Sequence, residues 1–200
     1  MFGSGGSDVA ARVAGALGWD LYDNAVIDAV AQRLGLPPAE VSAQDERVPS
    51  MVERLAEALA FGTPESMPAV ADRTAPPTEE EIVRVTARVI EEAVQRGPAV
   101  FVGRGAQCLL AERADALHVY CYAEPASLLR YAMAHRGLDA ANAERVVADV
   151  NRQREQYVRR HWGRNWRSLE NYHVCLNTGV LGIEASAALV ISLARSRLRA

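Results

Sequence analysis

A chain of 200 residues with 50% hydrophobic and 24% charged side chains has the balance of an ordinary globular protein and length enough for a sizeable core. Its net charge of -3 argues against a nucleic-acid binder. It shows no leader pattern and no unbroken apolar run of about 18 residues, so a cytoplasmic protein away from membranes is expected.

The chain opens on Gly3-Ser4-Gly5-Gly6-Ser7-Asp8, followed by an apolar-periodic segment that ends near Leu17. A glycine loop opening a helix is an anion site. Small residues let backbone N–H groups close on phosphate oxygens, and the helix end adds partial positive charge. The same residues also read as a flexible spacer. The full phosphate-loop pattern is G-x-x-x-x-G-K-[ST] after a strand, and only its tail is present. Gly5 takes the last glycine position, Gly6 the lysine position and Asp8 the Ser/Thr position. No lysine can come from elsewhere, because all 22 Lys+Arg side chains are arginine.

Gly18 stops the first helix, and Leu21-Tyr22-Asp23 is a short extended link. Asn24 caps a helix from Ala25 to Leu34, Pro37-Pro38 open a short helix through Val41, and Ser50 caps a helix from Met51 to Phe61. Residues 62–77 hold four of the nine prolines and read as a long surface loop, either a mobile flap or a homo-oligomer contact. Thr78 before Glu79-Glu80-Glu81 caps a helix to Gln95, with acids on its positive end.

Pro98 to Val102 is a continuous apolar strand, as in a parallel sheet buried on both faces. It breaks at Gly103-Arg104-Gly105, and Ala106 to Arg113 is helical. Leu117 to Tyr122 is the next strand, Pro125 starts a helix to His135, and Asp139 caps a long polar helix to His161. Tyr172 to Leu176 is a third strand, closed by Asn177-Thr178-Gly179, and Ile183 to Arg199 is a final amphipathic helix. Strands alternating with helices predict an α/β fold around a parallel sheet. Ligands of such sheets bind at the carboxyl ends of the strands. The glycine loop, Gly103-Arg104-Gly105 and Asn177-Thr178 are expected on that one edge.

Cys108, Cys121 and Cys175 lie far apart in apolar runs and read as reduced core thiols. The four histidines, His118, His135, His161 and His173, have no metal-ligand spacing. Asp23, Asp45 and Glu46 could hold a base or a metal ion, or serve as helix caps. Arg104 between two glycines suits a phosphate, which its planar fork matches, or a tight structural turn. From Asn151 to Arg167 the chain carries Arg152, Arg154, Arg159, Arg160, Arg164 and Arg167, interleaved with Tyr157, Trp162 and Trp166. That segment reads as a solvated helix face, a nucleic-acid patch or a lid that neutralises a polyphosphate. The phosphate loop in the same chain favours the lid.

In order and spacing, these pieces resemble the cytidylate kinase-like family, a branch of the P-loop nucleoside monophosphate kinases. The resemblance rests on Phe2 to Gly6, Gly18-Trp19, Tyr22-Asp23, Asp45-Glu46-Arg47, Gly97 and Val102 to Gln107. It continues through Arg154, Tyr157, Trp166, Tyr172, Asn177-Thr178 and Ile183-Glu184. It implies a single P-loop kinase domain over 1–200 with a five-stranded parallel sheet, a helical acceptor region at 24–77 and an arginine lid at 139–167. It implies ATP and Mg²⁺ as donor and CMP or dCMP as acceptor. Gly3, Ser4, Gly5, Gly6, Ser7 and Asp8 would hold the ATP phosphates, with Asp8 at the metal. Asp23 and Arg104 would face the acceptor, Arg152 and Arg154 would act catalytically from the lid, and Asn177 and Thr178 would lie on the adenine side. Well-formed P-loops have lysine and Ser/Thr where this chain has Gly6 and Asp8, this branch often has Arg-Glu where it has Ser7-Asp8, and Asn151 and His173 stand where relatives tend to have aspartate. A nucleotide-binding regulatory protein without phosphoryl transfer is the alternative. The resemblance also places a central strand before Gly3, where only Met1-Phe2 stand. The expectation is a shortened chain whose natural start adds a short Ile/Val-rich strand. A gap is then expected between the strands of Val100 and Leu117.

Overall fold

The computed structural model describes residues 1–23, 29–30, 33, 35 and 78–197. The short helices expected at 37–41 and 51–61 and the proline-rich loop at 62–77 lie outside the described residues, as do Asp45, Glu46 and most of the helix expected at 25–34.

Among the described residues, four short strands form two parallel pairs. Strand β1 (Asp20–Tyr22) pairs with β2 (Ala99–Phe101), with Leu21 opposite Val100. Strand β3 (Val119–Tyr122) pairs with β4 (Val174–Asn177), with Cys121 opposite Leu176. The sequence reading of Leu21-Tyr22-Asp23 as a link is corrected here. Three residues are too few to show a strand period, and the pairing comes from β2, 79 positions away.

The helices pack around these strands. Helix α1 (Gly6–Leu17) buries Val9, Val13 and Ala14, and Gly18 caps it in the left-handed region. Val9 and Val13, four residues apart, share one face and meet Leu176, Ala187 and Val190 in the largest apolar cluster. Helix α2 (Glu79–Arg96) starts with a reciprocal capping box. Glu81 N–H donates to Thr78 Oγ1 at 3.2 Å, and Thr78 N–H donates to Glu81 Oε2 at 3.0 Å. Ile82 and Val89 on this helix pack with Val30, Tyr22 and Phe101. Helix α3 is only Ala106–Leu109. The helix expected through Arg113 stops early, because the chain turns where Arg113 forks onto the Asp115 carboxylate.

Helix α4 (Pro125–Arg136) packs on α5 (Ala140–Trp162) through Leu128, Ala132, Ala143 and Val147. Asp139 caps α5 by accepting the Asn142 N–H at 2.8 Å. Helix α6 (Thr178–Arg197) begins five residues before the expected Ile183 and breaks at Gly182, whose φ of 76° and ψ of 166° suit glycine alone. By length and composition α6 could cross a membrane, with a mean hydropathy of 1.4 over 18 residues. Glu184, Ser186 and Ser192 interrupt the apolar run, so the sequence shows no unbroken span.

A cavity of about 500 Å³ separates the two strand pairs. Its walls include Ala99 to Phe101 on one side, Leu117 to Val119 with Cys121 on the other, and Val9, Val13 and Val190 from the helices. Among the described residues, no strand pairs with both β2 and β3.

Candidate functional site

The glycine loop lies against the carboxyl end of β3. Gly3 has φ 83°, and a Cβ there would meet the Leu128 carbonyl oxygen at 2.8 Å, so α4 leaves room only for glycine. Gly5 caps α1 with φ 69° and ψ 19° and supplies no side chain to the first-turn amides. The first-turn N–H groups therefore have no side-chain cap from Gly5. Ser4 is buried, and its hydroxyl sits 2.7 Å from the Met1 C=O and 3.1 Å from the Cys121 C=O. Thr178, also buried, places its hydroxyl 2.6 Å from the Ser4 C=O and 2.9 Å from the Tyr122 C=O. These two hydroxyls hold the loop to the strand ends. Ser7 is exposed, and Asp8 is half-buried in the first turn.

Asp8 has a partner that the sequence did not reveal. Tyr131 on α4 donates its hydroxyl to Asp8 Oδ2 at 2.7 Å. Its phenol pKa is pushed up to about 12, first by burial and then by that bond to a carboxylate. The ring stacks on His135 at 3.8 Å between centroids. One Asp8 oxygen is thus fixed, and the carboxylate is oriented at the mouth of the loop.

The second half of the edge belongs to β1 and β2. The Val102 N–H donates to the Tyr22 C=O at 3.0 Å, so Asp23 and the Gly103-Arg104-Gly105 turn leave neighbouring strands side by side. Gly103, Arg104 and Gly105 have φ of 72°, 58° and 70°, three left-handed residues in succession. Arg104 is the only non-glycine with positive φ among the described residues. Such a conformation costs about 1–3 kcal/mol in a non-glycine residue. A Cβ on Gly105 would lie 2.2 Å from the Trp162 ring, so the end of α5 rests on this turn.

Helix α5 reaches the glycine loop as well. Asn151 is buried at 3% exposure, and its Oδ1 accepts the Phe2 N–H at 2.8 Å. Arg154, one turn further on, is close enough to the Met1 amino group to lower its pKa, although burial is the larger cause. Arg152 is exposed and pairs with Asp149 at 2.5 Å on the outer surface. The Arg154 charge is thus felt at the front of the loop, while Arg152 is held by Asp149 on the outer surface. Arg160 and His161 at the end of α5 both bind Glu79, at 2.7 and 2.9 Å, tying this helix to α2.

Asn177 ends β4 beside Thr178, and its Oδ1 is buried without a hydrogen-bond partner among the described residues. His118 and His173 stack at the opposite end of β3 and β4, 5.1 Å between centroids. The three cysteines are all free thiols, and burial raises the pKa of each. No group of three His, Cys, Asp or Glu able to hold a metal ion occurs among the described residues. Asn151 and Tyr131 are the site residues that sequence reasoning missed. The departure from aspartate at 151 was a signal for the first; Tyr131 sits in an ordinary helical pattern and gave none.

A glycine loop opening a helix at the carboxyl ends of parallel strands lies on the edge where α/β sheets take their ligands. The chain belongs to the cytidylate kinase-like family, whose sequence profile matches residues 1–180. No curated protein matches it. Its fold is similar to the crystal structure of an uncharacterized protein from Eubacterium ventriosum, with a TM-score of 0.69 and 17% identity over 98% of this chain and 94% of that one.

Proposed function

We propose that the chain is a nucleoside monophosphate kinase of cytidylate type, passing the γ-phosphoryl group of ATP to CMP or dCMP. The observation that carries this reading is the glycine loop opening the uncapped α1 N-terminus against the carboxyl end of β3. In this reading 1–200 form one P-loop kinase domain, with the acceptor region at 24–77 and the lid at 139–167. The amides from Gly3 to Asp8 hold the ATP phosphates. The donor set fits a metal only in part: Asp8 offers one carboxylate oriented by Tyr131, and the remaining Mg²⁺ ligands would come from the nucleotide. When bound, Mg²⁺ would supply neutralisation of phosphate charge. Arg154 adds charge from the lid in a chain with no lysine. Arg104 and Asp23 face the acceptor, and Asn177 and Thr178 border the adenine side. Arg152 takes part only if it leaves Asp149. Catalysis by this set is positioning and charge neutralisation, with no covalent intermediate.

The second reading is a nucleotide-binding regulatory protein, favoured by Gly6 and Asp8 where a phosphate loop carries lysine and a hydroxyl. A coupled assay with ATP and each nucleoside monophosphate separates the two, run beside a binding panel. Turnover with CMP or dCMP supports the kinase. Nucleotide binding without turnover supports the regulator.

A further inference from the structure

Helix α6 is apolar on both of its faces. Inward, Ala187 and Val190 are buried in the cluster that holds Val9, Val13 and Leu176. Outward, it carries four of the eight large hydrophobic side chains that are exposed among the described residues: Val180, Leu181, Leu189 and Leu193. Leu189 and Leu193, 45% and 38% exposed, stand one turn apart beyond the Gly182 break. Ala185, a turn before Leu189, continues their ridge and is exposed as well. Ala188 and Ser192 fill the middle of this face, so it carries no charge there.

Charge runs along one flank only. Glu184 keeps its side chain 79% exposed, although one carboxylate oxygen accepts from Arg12 Nε at 2.6 Å. Arg195 lies eleven residues on, about three turns, and so returns to the same flank. It is exposed, and its guanidinium donates to the Ala16 C=O at 3.4 Å.

A second copy of α6 fits this face in one direction. Laid parallel, Glu184 would meet Glu184 and Arg195 would meet Arg195. Laid antiparallel about a two-fold axis at Leu189, each flank meets the same flank of the other copy. Leu189 then faces Leu189, Leu193 faces Ala185, and Glu184 faces Arg195, all within one residue of a single register. Large side chains meet small ones, and opposite charges meet at both ends. An anionic lipid surface would attract Arg195 and repel Glu184, so it fits less well. The face is about 16 Å long from Glu184 to Arg195 and one helix wide, short of the roughly 800 Å² per partner of a standard interface, which makes the pair weak and reversible.

We propose that the outward face of α6 is a self-association surface, on which a second copy of the chain packs antiparallel with Glu184 of each copy facing Arg195 of the other. Sedimentation equilibrium from about 5 to 500 μM tests it. The mass should rise from 21.7 kDa toward twice that value, with a Kd on the order of 100 μM. Leu189→Glu should weaken association by about tenfold or more while keeping the far-UV circular dichroism and Tm of the parent. Glu184→Arg and Arg195→Glu should each weaken it by about threefold or more, because each sets like charges face to face. Mixed in equal amounts, these two variants should associate as tightly as the parent, since each supplies the charge the other lacks. A chain that stays monomeric at the top of the range overturns the proposal, as does association that Leu189→Glu leaves unchanged. Failure of the mixed variants to recover overturns it too. Binding of the monomer to phosphatidylcholine–phosphatidylserine vesicles, lost in Leu189→Glu, would give the face to lipid and likewise overturn it. No nucleotide or turnover enters these readouts, so this reading and the kinase reading fail separately.

Discussion

The Asn151 side chain faces the backbone of Phe2: its Oδ1 accepts the Phe2 N–H at 2.8 Å, and its Nδ2 lies 3.4 Å from the Phe2 C=O. The same Nδ2 donates to the Val147 C=O at 2.9 Å. One buried amide therefore registers α5 against the front of the glycine loop. Asn151→Leu keeps the volume and leaves the Phe2 N–H without its acceptor, at a cost of about 1–3 kcal/mol. Urea denaturation measures the loss, and faster exchange of the Phe2 amide locates it.

Stability should rise with pH between about 5 and 8. The Met1 amine is lowered from 8.0 to about 5, chiefly by burial. His118 and His173 are lowered from 6.5, burial again the first cause. In that window the unfolded chain binds more protons than the folded one, so folding is favoured as pH rises. The contribution is complete above the unfolded values and is lost as pH falls through the folded ones. The amine alone should remove about 2 kcal/mol between about pH 8 and about pH 6, read as a shift in urea midpoint. Acetylating Met1 should flatten the curve and leave the smaller histidine part.

The turn at Gly105 should be intolerant of a side chain. Gly105 is left-handed, and a Cβ would strike the Trp162 ring at 2.2–2.8 Å. Gly105→Ala should cost about 1–3 kcal/mol or more. In a Trp162→Ala background the cost should fall by about 1 kcal/mol, the coupling expected of residues in contact. Gly15→Ala is the contrast. Gly15 lies inside α1 with nothing within 4 Å of a Cβ, so that change should stabilise by about 0.5–1 kcal/mol. Thermal melts of the four variants check all three statements.

Helix caps and glycine stops were the most legible part of the sequence. Thr78 with Glu81, Asp139 with Asn142, and Gly18 act locally, and local rules read them. The β1 strand was not legible, because its partner is β2 and three residues carry no period. At the site, Gly5 and Arg104 were readable as glycine-framed turns. Arg152 and Arg154 were not separable in sequence: two residues apart on a helix, they point to different faces, and only packing says which face meets the loop. Tyr131 reaches Asp8 from 123 residues away, beyond any local pattern.

If the chain is a kinase, Arg154 and Arg104 fail in different ways. Arg154→Ala should lower turnover by about 100-fold or more with the fold intact, as for an arginine that meets developing phosphoryl charge. Arg104→Lys should raise the acceptor KM, because lysine lacks the planar fork. Steady-state kinetics and far-UV circular dichroism check both. Wild-type turnover in Arg154→Ala would remove that residue from the mechanism.

The placement of the aromatic side chains makes the molecule its own optical instrument. Of its three tryptophans, Trp19 borders the cavity, Trp162 covers the Gly105 turn, and Trp166 is buried with Tyr120 and Tyr157. Trp162 packs edge-on to Tyr157 in the cluster that holds Trp166, so their emission is separated by replacing two with phenylalanine at a time. A chain keeping only Trp19 reports on the space between the strand pairs. On the kinase reading, one keeping only Trp162 would report nucleotide arriving at the turn. The two places can then be followed separately by fluorescence in an unlabelled protein, with Trp166 as the internal blank.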